Sequence, residues 1–518
     1  TEKQRSGRRT LMRMLAAALV LRVVLGSFTD ASGFDTDLMQ SWTRTLLSVP
    51  LSEFYAVAEG PDHLPGDLWF LWAIGHGLEL FGFENAPRGP FVELMKLVPA
   101  VADTVIAWEL FVLLRSFATS RAALTVAAAF AFNPGAIFLT SIWGQWDALS
   151  MALLLGGALI ILKAISLLPG QLRHPARSDG SSGRAQPLGE RPGLDTPDVP
   201  GRTVGEWRGG ALRAVPLWPV GVPLLAWAIL IKPPLALVAG LFVLFACVRT
   251  FWESPAIRAA IRRTAAALIL AAILGVVTAL LIILPFDVGL PGMATRWSVL
   301  DRARYALDLY PFTTLQAANI WMIKDAHLYR PSDLDGTLLG LTERTWGSLL
   351  LAFALAWIAG VVVTRWPVVR ASGVTMVVWA ALAISYAIFM LPTRVHERYF
   401  FPVMVFALAL AGLRAGRPVG RGRRRSAGHH RGVPYDRTSS NRAHRTWWLA
   451  LAISGLFLVS LLIAYTPTVN AIRAAMFDVP LSALFRTLAI VNLGVFLATM
   501  ALPLWWGAGQ RPEVAAPR

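Results

Sequence analysis

Cysteine occurs once, as Cys247, inside an apolar run. A single thiol excludes a disulfide within the chain and a thiolate metal cluster. Charge is scarce as well. Asp, Glu, Lys and Arg make up 15% of the 518 residues, where a soluble domain carries about a quarter. Acidic residues are the scarcer sign, 31 against 48 Lys and Arg, and lysine is rare beside arginine. Apolar sequence takes the place of charge: 55% of the chain is hydrophobic, and mean hydropathy is +0.55. Long apolar runs recur from residue 11 to residue 507. A soluble globular class is therefore excluded, and the chain reads as an all-α polytopic membrane protein. A net charge of +17 would suit nucleic acid in a soluble protein. Here the basic residues lie between apolar runs, so no nucleic-acid partner is expected, and membrane lipids are the partner of these charges.

The positive residues order the spans. The basic stretch "TEKQRSGRR" precedes the first run and is expected on the cytoplasmic side. That run is as long as a span, lacks a clean small-residue cleavage site and leads into many more spans. It is read as a membrane helix, not a signal peptide. Alternation then places spans at 11–27, 93–114, 122–141, 147–168, 213–231, 233–249, 264–285, 343–363, 367–391, 399–413, 446–466 and 484–506, about twelve in all. Two long loops, 28–92 and 286–342, fall outside the cell membrane, and both termini fall in the cytoplasm. Residues 67–82, "DLWFLWAIGHGLELFG", are short and carry His76 and Glu79. They read as an interfacial helix in the first outside loop, because counting them as a span would turn both basic linkers outward. Those linkers, 169–212 and 414–445, are rich in Gly, Pro, Ser and Arg and are expected to be disordered. They divide the chain into a membrane module over 1–168, a second over 213–413, and a C-terminal pair of spans with a tail over 446–518. His429 and His430 in the second linker have no further ligands converging on them and read as solvated.

With this topology several polar stretches collect at the outer face without a topological task. "GFDTDLMQSW" supplies Asp35 and Asp37, "PDHLPGD" supplies Asp62, His63 and Asp67, and "WGQWDAL" supplies Gln145 and Asp147. Lys232 stands at the tip of a hairpin in "ILIKPPLAL". Arg302, Arg304 and Tyr310 come from the second outside loop, and "LPTRVHERYFFP" adds Arg394, His396, Glu397 and Arg398. Each has an ordinary reading. Asp35, Asp37 or Asp147 can cap a helix, Lys232 can snorkel, and Arg394 and Arg398 can anchor a span end. The tryptophans at 69, 72, 143 and 146 fit an aromatic belt. Their joint placement points instead to a polar site at the membrane boundary. A carboxylate can take the proton of an attacking hydroxyl, and Lys and Arg can receive a leaving phosphate.

Taken in order, these pieces resemble the C-type superfamily of integral membrane glycosyltransferases (GT-C). The nearest resemblance is to bacterial mannosyltransferases related to the second mannosyltransferase of GPI-anchor synthesis. It covers roughly residues 11–410 and rests on Asp35-x-Asp37 followed by Trp42, a Pro-Gly turn at "DHLPG", "NP…WGQWD", "KP", "YPFTTLQAANIW" and "RVHERYFFP". "DHLPG" departs from the aromatic and Pro-Pro expected there, which bears on acceptor fit. The resemblance implies a GT-C-like bundle with interfacial helices in the first outside loop. It implies transfer of a sugar, mannose being the one expected, from a polyprenyl-phosphate donor to a glycan or lipid acceptor outside the membrane, with inversion. Asp35 would be the general base and Asp37 its orienter. Lys232, His396 and Arg398 would lie near the donor phosphate, with Arg302 or Arg304 joining them. Gln145, Asp147, Glu397 and Arg394 would support, with Glu397 steadying Arg398 or Arg394. No cofactor is implied, no metal ligands are assigned, and divalent-metal dependence is left open. Two rivals stand beside this reading. A transporter or flippase would need broken helices related by an internal repeat, and none is visible. A polymerase or ligase using a diphosphate-linked donor would favour more arginine in the second outside loop.

Overall fold

The computed structural model describes residues 2–29, 33–166, 216–254, 256–324, 332–335, 337–416, 437–465 and 481–505. The expected disorder of 169–212, and of 417–436 within the second linker, lies outside the described residues, as do His429 and His430, but residues 437–445 of that linker are helical, the start of the helix Arg437–Ala464, and not disordered as expected. Among the described residues the chain is built of helices, and the sheet content is two pairs of two-residue strands. It is an all-α polytopic membrane protein: eleven helices are long and apolar enough to cross a membrane, and Trp218–Ile231 is a shorter apolar helix. The remaining expected span, 213–231, ends as expected at the Lys232-Pro233-Pro234 break, and its described helix, Trp218–Ile231, is too short to count as a span. Neither proline has an N–H to continue the helix, and Pro233 disfavours helical backbone at Lys232. Residues 67–82 form no span by length and composition; residues 67–80 of them belong to a 16-residue helix, Pro65–Leu80.

The helices used below are α1 (Glu2–Ser27), α2 (Gly33–Ser48), α3 (Pro65–Leu80), α4 (Arg88–Phe117) and α5 (Ser120–Ala131). They continue with α6 (Asp147–Ser166), α7 (Val222–Ile231), α8 (Ala236–Trp252), α9 (Ile257–Ile283) and α10 (Val299–Asp308). The last are α11 (Glu343–Thr364), α12 (Trp366–Met390), α13 (Phe401–Ala415), α14 (Arg437–Ala464) and α15 (Leu481–Ala501). Helix α13 is apolar all round, and so it sits in the core, packed on α5, α12 and α14. Helices α9 and α11 are equally apolar but leave most of their surface outside the protein, which assigns them to the lipid-facing rim. One hydrophobic cluster runs from Leu11 to Met500 and draws on all three sequence-defined membrane modules.

Two short helices lie against this bundle. Helix α2 packs along α3, and Gln40 and Arg44 of α2 donate to the carbonyls of Ala86 and Asn85 (2.6 and 2.9 Å). Helix α3 is tied to the bundle at its start. Trp69 donates to the Ile282 carbonyl (3.0 Å), and Trp227 of α7 donates to the Gly66 carbonyl (2.8 Å). A Cβ at Gly66 would lie 2.5 Å from the backbone of Leu230, so only glycine lets the "DHLPG" turn reach the end of α7.

Candidate functional site

A cavity of about 940 Å³ opens where odd-numbered spans end and even-numbered spans begin. Helix periodicity sets its first wall. On α2 the cavity is lined by Gly33 and Phe34 at its start and then by Asp35, Leu38, Met39 and Trp42, the i, i+3, i+4, i+7 stripe of one face. Gln145 and Asp147 arrive through a different device. The span that starts at α5 is interrupted by Asn133 and Pro134 and ends in a π-helical turn, Phe138–Ile142. Gly144 follows with φ +84°, a left-handed conformation that glycine adopts without strain. The chain reverses there, which brings Gln145 to the cavity and starts α6 at Asp147. Lys232 occupies the break that the two prolines make between α7 and α8. The turn before α13 presents His396, Glu397, Arg398 and Tyr399 to the same space. The segment 310–321 straps across that turn: Leu315 N–H donates to the Val395 carbonyl (3.0 Å), and the Trp321 indole donates to the Leu391 carbonyl (2.8 Å).

The polar groups form a connected set. The Gln145 amide donates to Asp35 Oδ2 at 2.6 Å. Lys232 Nζ lies 2.6 Å from Asp147 Oδ1 and 4.9 Å above the Tyr399 ring. Arg398 stands between two carboxylates, 3.9 Å from Asp35 and 3.9 Å from Asp147. Burial lowers the Lys232 pKa, and Asp147 works against that shift. Burial also pushes His396 well below the usual histidine range, reinforced by the positive charges of Arg398, Lys232 and His63, so His396 is a neutral imidazole at pH 7. His63 goes the other way. Burial opposes its charge, but Asp67, bonded to Nδ1, and Asp62 outweigh burial and hold its pKa up, at about 9. Burial raises the Tyr310 phenol, and the neighbouring Asp62 raises it further.

Seven of the residues given a role from the sequence line this one cavity: Asp35, Gln145, Asp147, Lys232, His396, Glu397 and Arg398. Arg394 borders it too, but Glu397 does not hold its guanidinium, contrary to one alternative expected for that glutamate. Asp333 accepts from Arg394 Nε and Nη2 (2.9 and 2.8 Å), and Asp308 accepts from Nη1 (2.7 Å). Three expected members lie elsewhere. Asp37 pairs with Arg88 and does not line the cavity, because two residues apart on a helix is more than half a turn. The same rule separates α10: Ala303, Ala306 and Leu307 face the cavity, and Arg302 and Arg304 flank that stripe. Arg302 is buried over the rings of Tyr55 (4.2 Å) and Tyr305 (4.7 Å) and donates to the Pro61 carbonyl. Arg304 is exposed, 3.9 Å from Asp301.

The cavity also holds residues not given a role from the sequence: Asp62, His63, Asp67, Tyr310 and Tyr399. A signal for the first three was available in "PDHLPGD", where His63 and Asp67 stand at the i, i+4 spacing of a helix start. Tyr399 reads as the first apolar residue of a span, and no spacing announces it. Compared with protein-family models the chain matches none, and no curated protein matches it.

Proposed function

We propose that the chain is a membrane glycosyltransferase that moves a hexosyl group, mannose being the one expected, from a polyprenyl-phosphate ester to an acceptor hydroxyl. The observation that carries this reading is the meeting of Asp35 with Lys232 and Arg398 in one cavity. Asp35 accepts the proton of the acceptor hydroxyl as its oxygen attacks the anomeric carbon. The bond from that carbon to the phosphate oxygen breaks, and polyprenyl phosphate leaves with the electron pair. Attack opposite the leaving group inverts the centre. Arg398 and Lys232 receive the phosphate charge, and the neutral His396 donates an N–H to it. Gln145 holds the Asp35 carboxylate in one orientation. The acceptor is a glycan or a lipid headgroup that reaches Asp35.

Charge balance favours a monophosphate donor over a diphosphate one. Lys232 is bound to Asp147, and Arg398 lies between Asp147 and Asp35. Little positive charge is left uncompensated, so a phosphodiester with one negative charge costs less to seat than a more highly charged diphosphate. We place the cavity on the outer face of the cell membrane, with the termini of this chain in the cytoplasm. The support is that Arg115, Arg121, Arg249, Arg258, Arg262, Arg263 and Arg365 all lie at or beyond span ends remote from the cavity. The test is transfer of radiolabelled sugar from synthetic polyprenyl-phosphate mannose and polyprenyl-phosphate glucose by membranes carrying the chain. Label should enter an extractable lipid or glycan with the wild type and not with Asp35→Asn. Equal incorporation by both, at the level of membranes without the chain, would remove the reading.

A further inference from the structure

The cavity has two chemically different walls. One carries Lys232, His396 and Arg398. The other comes from the first long loop and the segment facing it, and carries Asp62, His63, Asp67, Trp42 and Tyr310. The His63 ring stands edge-on to Trp42 at 5.1 Å, and its Nδ1 is bonded to Asp67. Its Nε2 lies 3.8 Å from Asp62 Oδ1. Tyr310 lies beside Asp62 and meets the His396 ring at 5.9 Å. Two carboxylate oxygens on this wall, Asp62 Oδ1 and Asp67 Oδ1, are buried without a hydrogen-bond partner among the described residues, and the Asp67 side chain is only 3% exposed. A buried carboxylate oxygen without a donor is costly, so the wall is built to meet donors.

The donors it suits are hydroxyls. Phosphate oxygens would face two carboxylates at close range and be repelled, whereas a polyol offers O–H groups to Asp62 and C–H surface to the Trp42 and Tyr310 rings. The wall also abuts the cationic one: Tyr310 touches His396, and His63 lies within electrostatic reach of Lys232 and His396. A group held here is therefore a near neighbour of a phosphate held there. We propose that Asp62 and Tyr310, with His63 fixed by Asp67, form the seat for the ring hydroxyls of the donor's hexose and set which hexose is transferred. This rests on the transferase reading above and adds to it the residues that recognise the sugar. The arginine cage described above serves the same wall, since Arg302 donates to the carbonyl of Pro61, the residue before Asp62.

The experiment uses the full chain in nanodiscs and three probes: a short-chain polyprenyl phosphate without sugar, the same carrier bearing mannose, and the same carrier bearing glucose. Affinities are measured for the wild type, Asp62→Asn and Tyr310→Phe. The wild type should bind one sugar-bearing donor more tightly than the bare carrier. Each variant should lose about 10- to 100-fold toward that donor, as expected for a hydrogen bond to a charged group. Binding of the bare carrier should stay within about two-fold of the wild type, which also reports that the variants fold. Equal loss toward bare and sugar-bearing carrier in Tyr310→Phe, which keeps the ring, would show that the wall reads phosphate and would overturn the proposal. Unchanged affinity for all probes in both variants would overturn it as well. If the wild type bound the bare carrier and neither sugar improved binding, the seat would be refuted while the phosphate site survived. Failure of the wild type to bind any of the three would instead remove the donor reading itself, and the seat with it.

Discussion

At the scale of single residues, the two first-loop carboxylates that look equivalent in "DTD" separate cleanly. Asp35 faces the cavity with Gln145 and Arg398, and Asp37 is paired with Arg88 on the other side of α2. Asp35→Asn keeps the shape and removes the proton acceptor, so turnover should fall about 10²–10⁴-fold. Asp37→Asn should leave turnover within about three-fold, because a half-exposed ion pair contributes little. Single-turnover rates with a saturating donor measure both, and a dead Asp37→Asn beside an active Asp35→Asn would reverse the assignment. His63 carries a pH signature of its own. Its folded pKa, about 9, lies above the ordinary histidine value of 6.5, so its contribution to stability is complete below pH 6.5 and disappears as pH rises through 9. Thermal unfolding in nanodiscs between pH 6 and 10 should show a decline toward alkaline pH that is shallower in His63→Gln. Parallel profiles for the two proteins would remove the imidazolium.

At the scale of elements, two local devices aim the functional side chains, and each can be broken alone. Arg394 has φ +62°, unfavourable for a residue with a side chain, and its N–H donates to the Phe312 carbonyl (3.0 Å). Asp333, fully buried, holds it there together with the Thr393 hydroxyl (2.6 Å). Removing one partner of a buried, hydrogen-bonded ion pair costs about 3–5 kcal/mol, so Asp333→Ala should lower stability by that order. Because His396 and Arg398 follow two and four residues later, donor affinity should fall as well. Chemical denaturation and donor titration read the two effects, and a variant with wild-type values in both would show that the clamp is dispensable. The second device is the Gly144 turn. Gly144→Ala forces a Cβ into left-handed backbone at a cost of about 1–2 kcal/mol, and it should reduce turnover by displacing Gln145 from Asp35. Turnover equal to the wild type would mean that the reversal tolerates a side chain.

At the scale of the whole molecule, the charge distribution and the cavity oppose each other across the bundle. The cavity's polar groups gather where α6 and α13 begin, and Arg115, Arg121, Arg249, Arg258, Arg262, Arg263 and Arg365 lie at or beyond the other span ends, with Arg88, Arg344 and Arg398 on the cavity side. This predicts a sidedness that labelling can read. With Cys247 replaced by Ala, a cysteine at Ser52 should react with an impermeant maleimide on intact cells. A cysteine at Ser182 or Ser426 should react only after permeabilisation. Labelling of Ser182→Cys from outside would place the cavity in the cytoplasm and end the proposed use of an outward-facing donor.

Sequence by itself determined the class and the spans, since a helix must satisfy its own backbone and expose about twenty apolar residues to lipid, and such runs are visible in one dimension. Among the described residues all twelve expected segments reappear as helices, eleven of them long enough to span and Trp218–Ile231 shorter. The polar stretches at span ends were legible for the same reason: charge is conspicuous where apolar residues are the rule. Which face each polar side chain takes was decided by helical phase and by tertiary partners. Asp35 and Asp37, or Arg302 and Arg304, differ by two residues in sequence and by more than half a turn in space. Partners such as Asp333 for Arg394, 61 residues apart, and Gln145 for Asp35, 110 apart, leave no trace in local spacing. Only the packing of spans brings the first-loop carboxylates, Lys232 and the turn before α13 around one cavity, because that arrangement depends on contacts among helices that no single segment encodes.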